Sequence, residues 1–333
     1  MIDRPAALFA MDPANLPGLF PQSLLDRTAQ FVDVDPALVV DDFDRPEAAA
    51  ALATAEILIT SWGCPPIDQR VLDAAPRLRA VLHAAGTVRE LITQACWDRG
   101  LVVCNAVQAN AVSVAEYTLA AILFTGKNAF ALRDAFRDKE PDPHADATLG
   151  NFRRRVGVIG ASRVGRRLLE LLRPLDFVVT LADPYVQPDE AASLGVTLLP
   201  LDDLLRESDI VTLHAPDLPQ TYRMLDRRRL ALIPDAATLI NTSRGALIDP
   251  DALAEELISG RLNAVLDVTE PEPLPPDSPL YRLPNVFLTP HIAGSLGNEL
   301  ERLGTAVVDE LGRLVAGLPL QYQVLRSDLG RLA

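Results

Sequence analysis

The stretch Arg155-Val156-Gly157-Val158-Ile159-Gly160-Ala161-Ser162-Arg163-Val164-Gly165, followed by an apolar helical pattern, limits the folds open to this chain more than any other. It has the composition of a short buried strand, a tight glycine turn and the opening of a helix. That arrangement offers backbone N–H groups and the positive end of a helix to a phosphate. A strand that is apolar on both faces must also be covered on both sides, which points to an α/β domain built on a parallel sheet.

Similar runs recur on both sides of this stretch. Before it, strands are predicted at Ala7–Ala10, Phe31–Val34, Glu56–Thr60, Ala80–His83 and Leu101–Asn105, alternating with helical spacing over Ser23–Ala29, Pro46–Ala55, Asp68–Ala75 and Arg89–Arg99. After it, strands are predicted at Phe177–Leu181, Val196–Leu198, Ile210–Leu213, Thr238–Asn241, Ala264–Asp267 and Val286–Leu288. Strand and helix alternating at this interval imply parallel βαβ units. Between the two series, Ala111 to about Phe136 has the pattern of one long helix. It breaks into Asp138-Lys139-Glu140-Pro141-Asp142-Pro143-His144, a polar surface connection. One later helix is bounded by Asp249 as N-cap, Pro250 as first residue and Gly260 as terminator. The last helical stretch, Glu299–Ala316, is expected to cross back to the first series. The predicted architecture is two doubly wound parallel-sheet domains, one of residues 1–110 with 295–333 and one of residues 111–294.

A length of 333 residues with 49% hydrophobic content suits two globular domains. The formal net charge of −14 argues against nucleic acid or an anionic membrane as the main partner. Cys64, Cys96 and Cys104 are odd in number and widely spaced, as expected of a reducing cytoplasm. No uninterrupted apolar run is long enough to span a bilayer, and Met1-Ile2-Asp3-Arg4-Pro5 does not open a signal peptide.

The glycine turn departs from the full GxGxxG fingerprint, because Ser162 stands where the second glycine lets backbone approach a pyrophosphate. An ordinary strand–helix turn is the alternative. Asp183 weighs against it: this residue ends the next apolar run, eighteen residues beyond Gly165. A carboxylate there accepts the ribose hydroxyls of NAD and repels a 2′-phosphate, so NAD(H) is expected over NADP(H). Gly160, Ser162, Arg163, Val164, Gly165 and Asp183 form the candidate cofactor cradle. Three polar residues, Arg244, Glu272 and His291, each follow a predicted strand of the second series. In open α/β sheets ligands sit outside the carboxyl ends of the strands, where these three can converge.

These segments resemble the D-isomer-specific 2-hydroxyacid dehydrogenases, which include phosphoglycerate dehydrogenases and hydroxypyruvate reductases. The matching stretches are Val156–Gly165, Asp209-Ile210-Val211-Thr212-Leu213-His214-Ala215-Pro216, Ile240–Asp249, Leu266–Pro273 and Leu283–His291. Asn110–Tyr117 is similar to the start of the family's interdomain helix, where His is more usual than Tyr117. The resemblance implies a flavodoxin-like substrate domain and a Rossmann NAD-binding domain. It implies that His291 is the acid in 2-keto acid reduction, that Glu272 favours its protonated form, and that Arg244 binds the substrate carboxylate and polarises its carbonyl. His214, Ala215 and Pro216 would wall the nucleotide site, with Thr242, Ser243, Asp267 and Gly294 toward the nicotinamide. Asp267 has a second reading, as a residue that simply closes its strand.

The family's glycine-rich loop ending in Asp-Asn is replaced here by His83-Ala84-Ala85-Gly86-Thr87-Val88-Arg89. Backbone N–H groups near Ala85, Gly86 and Thr87 remain candidates for holding a substrate carboxylate, so the identity of the acid cannot be carried over. No metal is required, since His291 and Arg244 supply the proton and the charge stabilisation. The expected activity is hydride transfer between NAD(H) and a small 2-keto or D-2-hydroxy acid, by a homodimer as the family suggests. The rival reading is a non-enzymatic, NAD-sensing dehydrogenase-like regulatory protein.

Overall fold

The computed structural model describes residues 4–137 and 149–328. They fall into two compact units, one containing the residues up to Asn110 and those from Ser295 on, the other Ala111–Gly294. The first unit holds strands β1 (Ala7–Ala10), β2 (Val39–Val40), β3 (Ile57–Thr60), β4 (Ala80–His83) and β5 (Val102–Asn105). Their order is β2-β1-β3-β4-β5 and every pairing is parallel, which is the flavodoxin-like arrangement. The second holds β6 (Arg155–Ile159), β7 (Val178–Ala182), β8 (Thr197–Leu198), β9 (Ile210–Leu213), β10 (Thr238–Asn241), β11 (Asn263–Leu266) and β12 (Val286–Leu288). Its seven parallel strands run β12-β11-β10-β9-β6-β7-β8. That is Rossmann order with one strand added, and the order reverses between β6 and β9.

The apolar runs follow from this double cover. In β1, Leu8 and Ala10 enter one hydrophobic cluster while Phe9 enters another. In β11, Ala264 and Leu266 face one cluster and Val265 the opposite one. Residues on alternate sides of these strands therefore each meet a core. The helix Leu300–Val315 packs on the first unit, with Leu303, Val307 and Leu311 at four-residue spacing in its core. Gly304 allows that approach, since a Cβ there would lie 1.8 Å from the Leu19 carbonyl oxygen.

Three expectations are corrected. Phe31–Val34 is not a strand: the helix Gln22–Phe31 runs through Phe31, and only Asp33 makes a single bridge, to Ala6. Pro36 lacks the N–H a continuing ladder needs, and pairing resumes at Val39–Val40. Arg89–Arg99 is helical only over Gln94–Asp98, because Leu91 and Ile92 turn back on Val88 and Ile92 bridges to Ile67. The long helix is two, Val107–Gly126 and Ala129–Arg137. Asn151 wedges against the end of the first, donating to the Leu123 carbonyl, and Asn128 takes a φ of 48° between them. The predicted connection at 138–144 lies outside the described residues. By length and composition alone Val107–Gly126 could also cross a membrane, although Gln108, Asn110, Ser113 and Glu116 interrupt its apolar run. Ala115 and Ile122 instead lie in the core of the second unit.

Two buried polar devices fix local structure. Glu310, 1% exposed, accepts from the backbone N–H of Gln321 and Tyr322 and from the Cys104 thiol. It thereby pins the segment that bridges Gln323 to β5. His83 and His214 are both buried, the first with Nδ1 2.9 Å from the Thr60 hydroxyl, the second with Nε2 2.9 Å from the Thr212 hydroxyl. Burial pushes their imidazoles down to about 4 and about 3 respectively.

Two outcomes follow from these groups. Glu310→Ala should lower the unfolding free energy in urea by about 1–3 kcal/mol, because two backbone N–H groups lose their charged acceptor; Glu310→Gln, which keeps one oxygen, should recover about half. The buried histidines stay neutral when folded, whereas the unfolded imidazole binds a proton near pH 6.5. Their contribution is thus complete above about pH 6.5 and is lost as pH falls toward their folded values. Unfolding free energy should drop by about 2 kcal/mol per histidine between pH 7 and pH 5, and a His214→Asn variant should show a flatter profile.

Candidate active site

The cradle at the switch point begins where β6 ends. Gly160 has a φ of 95°, and a Cβ there would lie 2.7 Å from the Ala215 nitrogen. A Cβ on Gly165 would lie 2.1 Å from the Gly160 carbonyl oxygen. The first and last glycines are therefore required by close backbone approach, to the loop after β9 and within the turn itself. Ser162 is the N-cap of the helix Arg163–Leu172, its Oγ accepting from the Gly165 N–H at 3.3 Å. The missing second glycine is thus replaced by a capping residue whose hydroxyl proton stays available. Among the described residues the Val164 N–H meets no acceptor, as expected at the open end of a helix. The turn fits a phosphate.

Asp183, after β7, is held by two backbone N–H groups. Its Oδ2 accepts from the Ala161 N–H at 2.7 Å and its Oδ1 from the Tyr185 N–H at 2.8 Å. These bonds fix the carboxylate beside the turn and leave each oxygen a lone pair for a ribose hydroxyl. On the other side His214, Ala215 and Pro216 form the loop after β9. The His214 N–H donates to the Ile159 carbonyl at 2.7 Å, and its side chain is buried. Only backbone and the Ala215–Pro216 surface can line a nucleotide there.

The loops after β10, β11 and β12 are built from buried polar anchors. Asn241, fully buried, donates to the Arg244 carbonyl at 2.8 Å and accepts from the Ser243 N–H at 3.0 Å. Ser243 in turn donates to the Ala215 carbonyl at 2.9 Å. Gly245 lets this loop press on the next, since its Cβ would fall 2.1 Å from the Thr269 carbonyl carbon. Arg244 is partly buried and spends one Nη1 bond on the Ser243 carbonyl at 2.7 Å. Guanidinium donors remain for a substrate carboxylate.

His291 stands in the left-handed region, with a φ of 54°. Its Nδ1 lies 2.7 Å from Glu272 Oε1, and its side chain is 50% exposed. Asp267, only 2% exposed, holds the loop that carries it. The Asp267 carbonyl accepts the His291 N–H at 2.9 Å. Its carboxylate accepts from Thr289 Oγ at 2.6 Å and from the Ile292 and Ala293 N–H groups at 2.8 and 2.9 Å. Gly294 follows immediately.

The helix Val107–Gly126 contributes two residues absent from the predicted site. The Tyr117 hydroxyl is 2.6 Å from Thr289 Oγ1, and Thr118 Oγ1 is 2.9 Å from Thr242 Oγ1. Thr118 donates to the Val114 carbonyl, so Thr242 is the donor in their bond and keeps its lone pairs to accept. Burial raises the Tyr117 phenol above its usual range, and the Asp267 charge adds to the rise. Nothing in an apolar helical pattern marks which hydroxyls meet distant loops. In the first unit, Ala85 is buried and its carbonyl accepts the Ala106 N–H, while the Gly86 carbonyl accepts from Asn105 Nδ2. The N–H groups of Gly86 and Thr87 meet no acceptor among the described residues.

Comparison with known proteins agrees with this geometry. Residues 119–293, just over half of the chain, match the model of the D-isomer specific 2-hydroxyacid dehydrogenase NAD binding domain. The D-3-phosphoglycerate dehydrogenase of Mycobacterium tuberculosis is 34% identical over 279 residues, 84% of this chain and 52% of that protein. This chain therefore spans about half the length of the curated phosphoglycerate dehydrogenases it matches. A glyoxylate reductase of Korarchaeum cryptofilum is 32% identical over 251 residues, 74% of this chain and 76% of the relative. Among solved structures, a D-lactate dehydrogenase from Aquifex aeolicus complexed with NAD and lactic acid is 26% identical, with a TM-score of 0.70 over 93% of this chain and 96% of that one. With its seven-stranded parallel sheet, its glycine turn at the switch point and a histidine–glutamate pair beyond the strands, this chain belongs to the D-isomer specific 2-hydroxyacid dehydrogenase family.

Proposed function

We propose that this chain is an NAD-dependent D-2-hydroxyacid dehydrogenase that interconverts a small 2-keto acid and the corresponding D-2-hydroxy acid. The observation that carries this reading is the Glu272–His291 pair, 2.7 Å apart, on a loop held by a buried carboxylate within the NAD binding domain. The turn Gly160–Gly165 with Arg163 and Val164, Asp183, the Ala215–Pro216 surface beside His214, Thr242, Ser243, Asp267 and Gly294 would hold the cofactor. When bound, NADH supplies the hydride to the carbonyl carbon of the keto acid.

The residues of the chain do the rest. Glu272 accepts from Nδ1 of His291, which leaves Nε2 to donate a proton to the carbonyl oxygen as negative charge develops there. After reduction the imidazole is neutral with its remaining proton toward Glu272, and the reverse reaction starts from that state. Arg244 pairs with the substrate carboxylate, a task suited to a planar fork of donors, and stabilises charge on the adjacent oxygen. In the first unit, the N–H groups of Gly86 and Thr87, which meet no acceptor among the described residues, support their assignment, with Ala85, to carboxylate binding. Asp183 supports NAD(H) over NADP(H), since a 2′-phosphate would meet a fixed negative charge. The acidic composition supports a protein with no nucleic-acid or membrane partner, and the free Cys64, Cys96 and Cys104 support a reducing cytoplasm. A homodimer is proposed from the family alone.

The test is NADH oxidation against a panel of 2-keto acids. His291→Ala and Arg244→Ala should each lower kcat/KM at least about a thousandfold, with the Kd for NADH within about threefold of the parent. Wild-type turnover by either variant would overturn the role given to that residue. Tight NADH binding with no oxidation by any acid would favour the regulatory reading.

Cofactor choice is tested separately. Asp183→Ser should weaken NADH about tenfold or more and bring the NADPH-to-NADH ratio of kcat/KM up by a similar factor. An unchanged ratio would show that the carboxylate serves only to hold Ala161.

A further inference from the structure

We propose that Tyr117 is a positioning residue for His291, acting through Thr289 and Asp267; this rests on His291 being the proton donor of the reaction. The direction of each hydrogen bond in the series is determined. Asp267 lies at the end, its carboxylate accepting from Thr289 Oγ1 at 2.6 Å, so Thr289 has given its only proton. Tyr117, 2.6 Å from that same oxygen, must therefore be the donor. The series runs from the Tyr117 hydroxyl to the Thr289 hydroxyl to the Asp267 carboxylate. The carboxylate in turn holds the N–H groups of Ile292 and Ala293.

These are the two residues that follow His291, and His291 is in a conformation that a side chain disfavours. A non-glycine residue stays in the left-handed region only where its surroundings over-determine it. The backbone bond from His291 to the Asp267 carbonyl fixes one side of that conformation, and the carboxylate fixes the other. Tyr117 sits on the helix Val107–Gly126, whose Ala115 and Ile122 are packed in the core, so its hydroxyl is a fixed post. It sets the rotamer of Thr289, and through it the orientation of the carboxylate that the histidine loop hangs from.

The test uses Tyr117→Phe, which keeps the ring and deletes the donor. Turnover of the best keto acid should fall about tenfold in kcat, with KM for NADH within about twofold, as expected when the reacting group is misplaced and the cofactor site is intact. Amide exchange of residues 289–294, followed by NMR or mass spectrometry, should speed up about tenfold while the rest of the second unit is unchanged. In a Thr289→Val background, where the connection is already cut, adding Tyr117→Phe should change kcat and exchange less than twofold. Unmoved exchange in Tyr117→Phe would overturn the proposal, as would faster exchange with full kcat, or a further tenfold loss in the Thr289→Val background. The exchange measurement needs no turnover, so an enzyme that reduces no keto acid would count against the dehydrogenase reading and leave the loop-holding role of Tyr117 to be judged by exchange.

Discussion

The candidate site depends on one buried carboxylate. Asp267 closes β11 at 2% exposure, where an unpartnered charge would be costly, and its oxygens are taken by one hydroxyl and two backbone N–H groups. Holding His291 at a φ of 54° costs on the order of 1–3 kcal/mol. Charge-assisted hydrogen bonds from the next two residues are each of the size needed to offset it. The strained histidine and the buried acid are therefore one structure. The imidazole keeps half its surface exposed, and the acid keeps the turn in place.

The same logic orders the other loops at the carboxyl ends of the strands. Parallel strands end in backbone groups that have no ladder partner, and here side chains at the strand ends supply one. Asn241 at the end of β10 holds both Ser243 and Arg244, and Asp183 just beyond β7 holds Ala161 and Tyr185. Each anchor is a polar residue at or just past the end of an apolar strand, and each fixes a loop that bears a candidate site residue. Glycine then sets the distances: Gly160 against Ala215, and Gly245 against Thr269. A methyl group at either place would separate loops that must touch. The chemistry of the site is thus separated from its support, with partly buried Arg244 and exposed His291 held by buried Asn241 and Asp267.

Every strand but β2 was legible, because apolar residues of a doubly covered sheet must face cores on both sides and this pattern has few other solutions. Asp249 and Gly260 were legible as helix ends because capping is local: Asp249 accepts from Asp251 and Ala252 N–H groups, and Gly260 takes a φ of 74°. What stayed hidden was decided by contacts distant in sequence. The break at Asn128 follows from Asn151, twenty-three residues on, and the shortening of Arg89–Arg99 from a bridge to Ile67. Tyr117 and Thr118 read as two more residues of an apolar helix, and only the fold shows that their hydroxyls meet Thr289 and Thr242. Spacing found the candidate reactive groups; it could not find what holds them.

The damaged glycine fingerprint shows how such a departure is absorbed. A glycine at position 162 would leave the first turn of the helix Arg163–Leu172 without a side-chain acceptor. Serine fills that place, accepting from Gly165 in an extended conformation with a φ of −63° and a ψ of 179°. No left-handed backbone is needed there, so a Cβ is tolerated, in contrast to Gly160 at a φ of 95°. The requirement for glycine is therefore position-specific within the motif: strict where backbones touch or φ is positive, and relaxed where the residue only begins a helix. Ser162 exchanges closer backbone approach to a phosphate for a capped helix and one hydroxyl donor facing the same end.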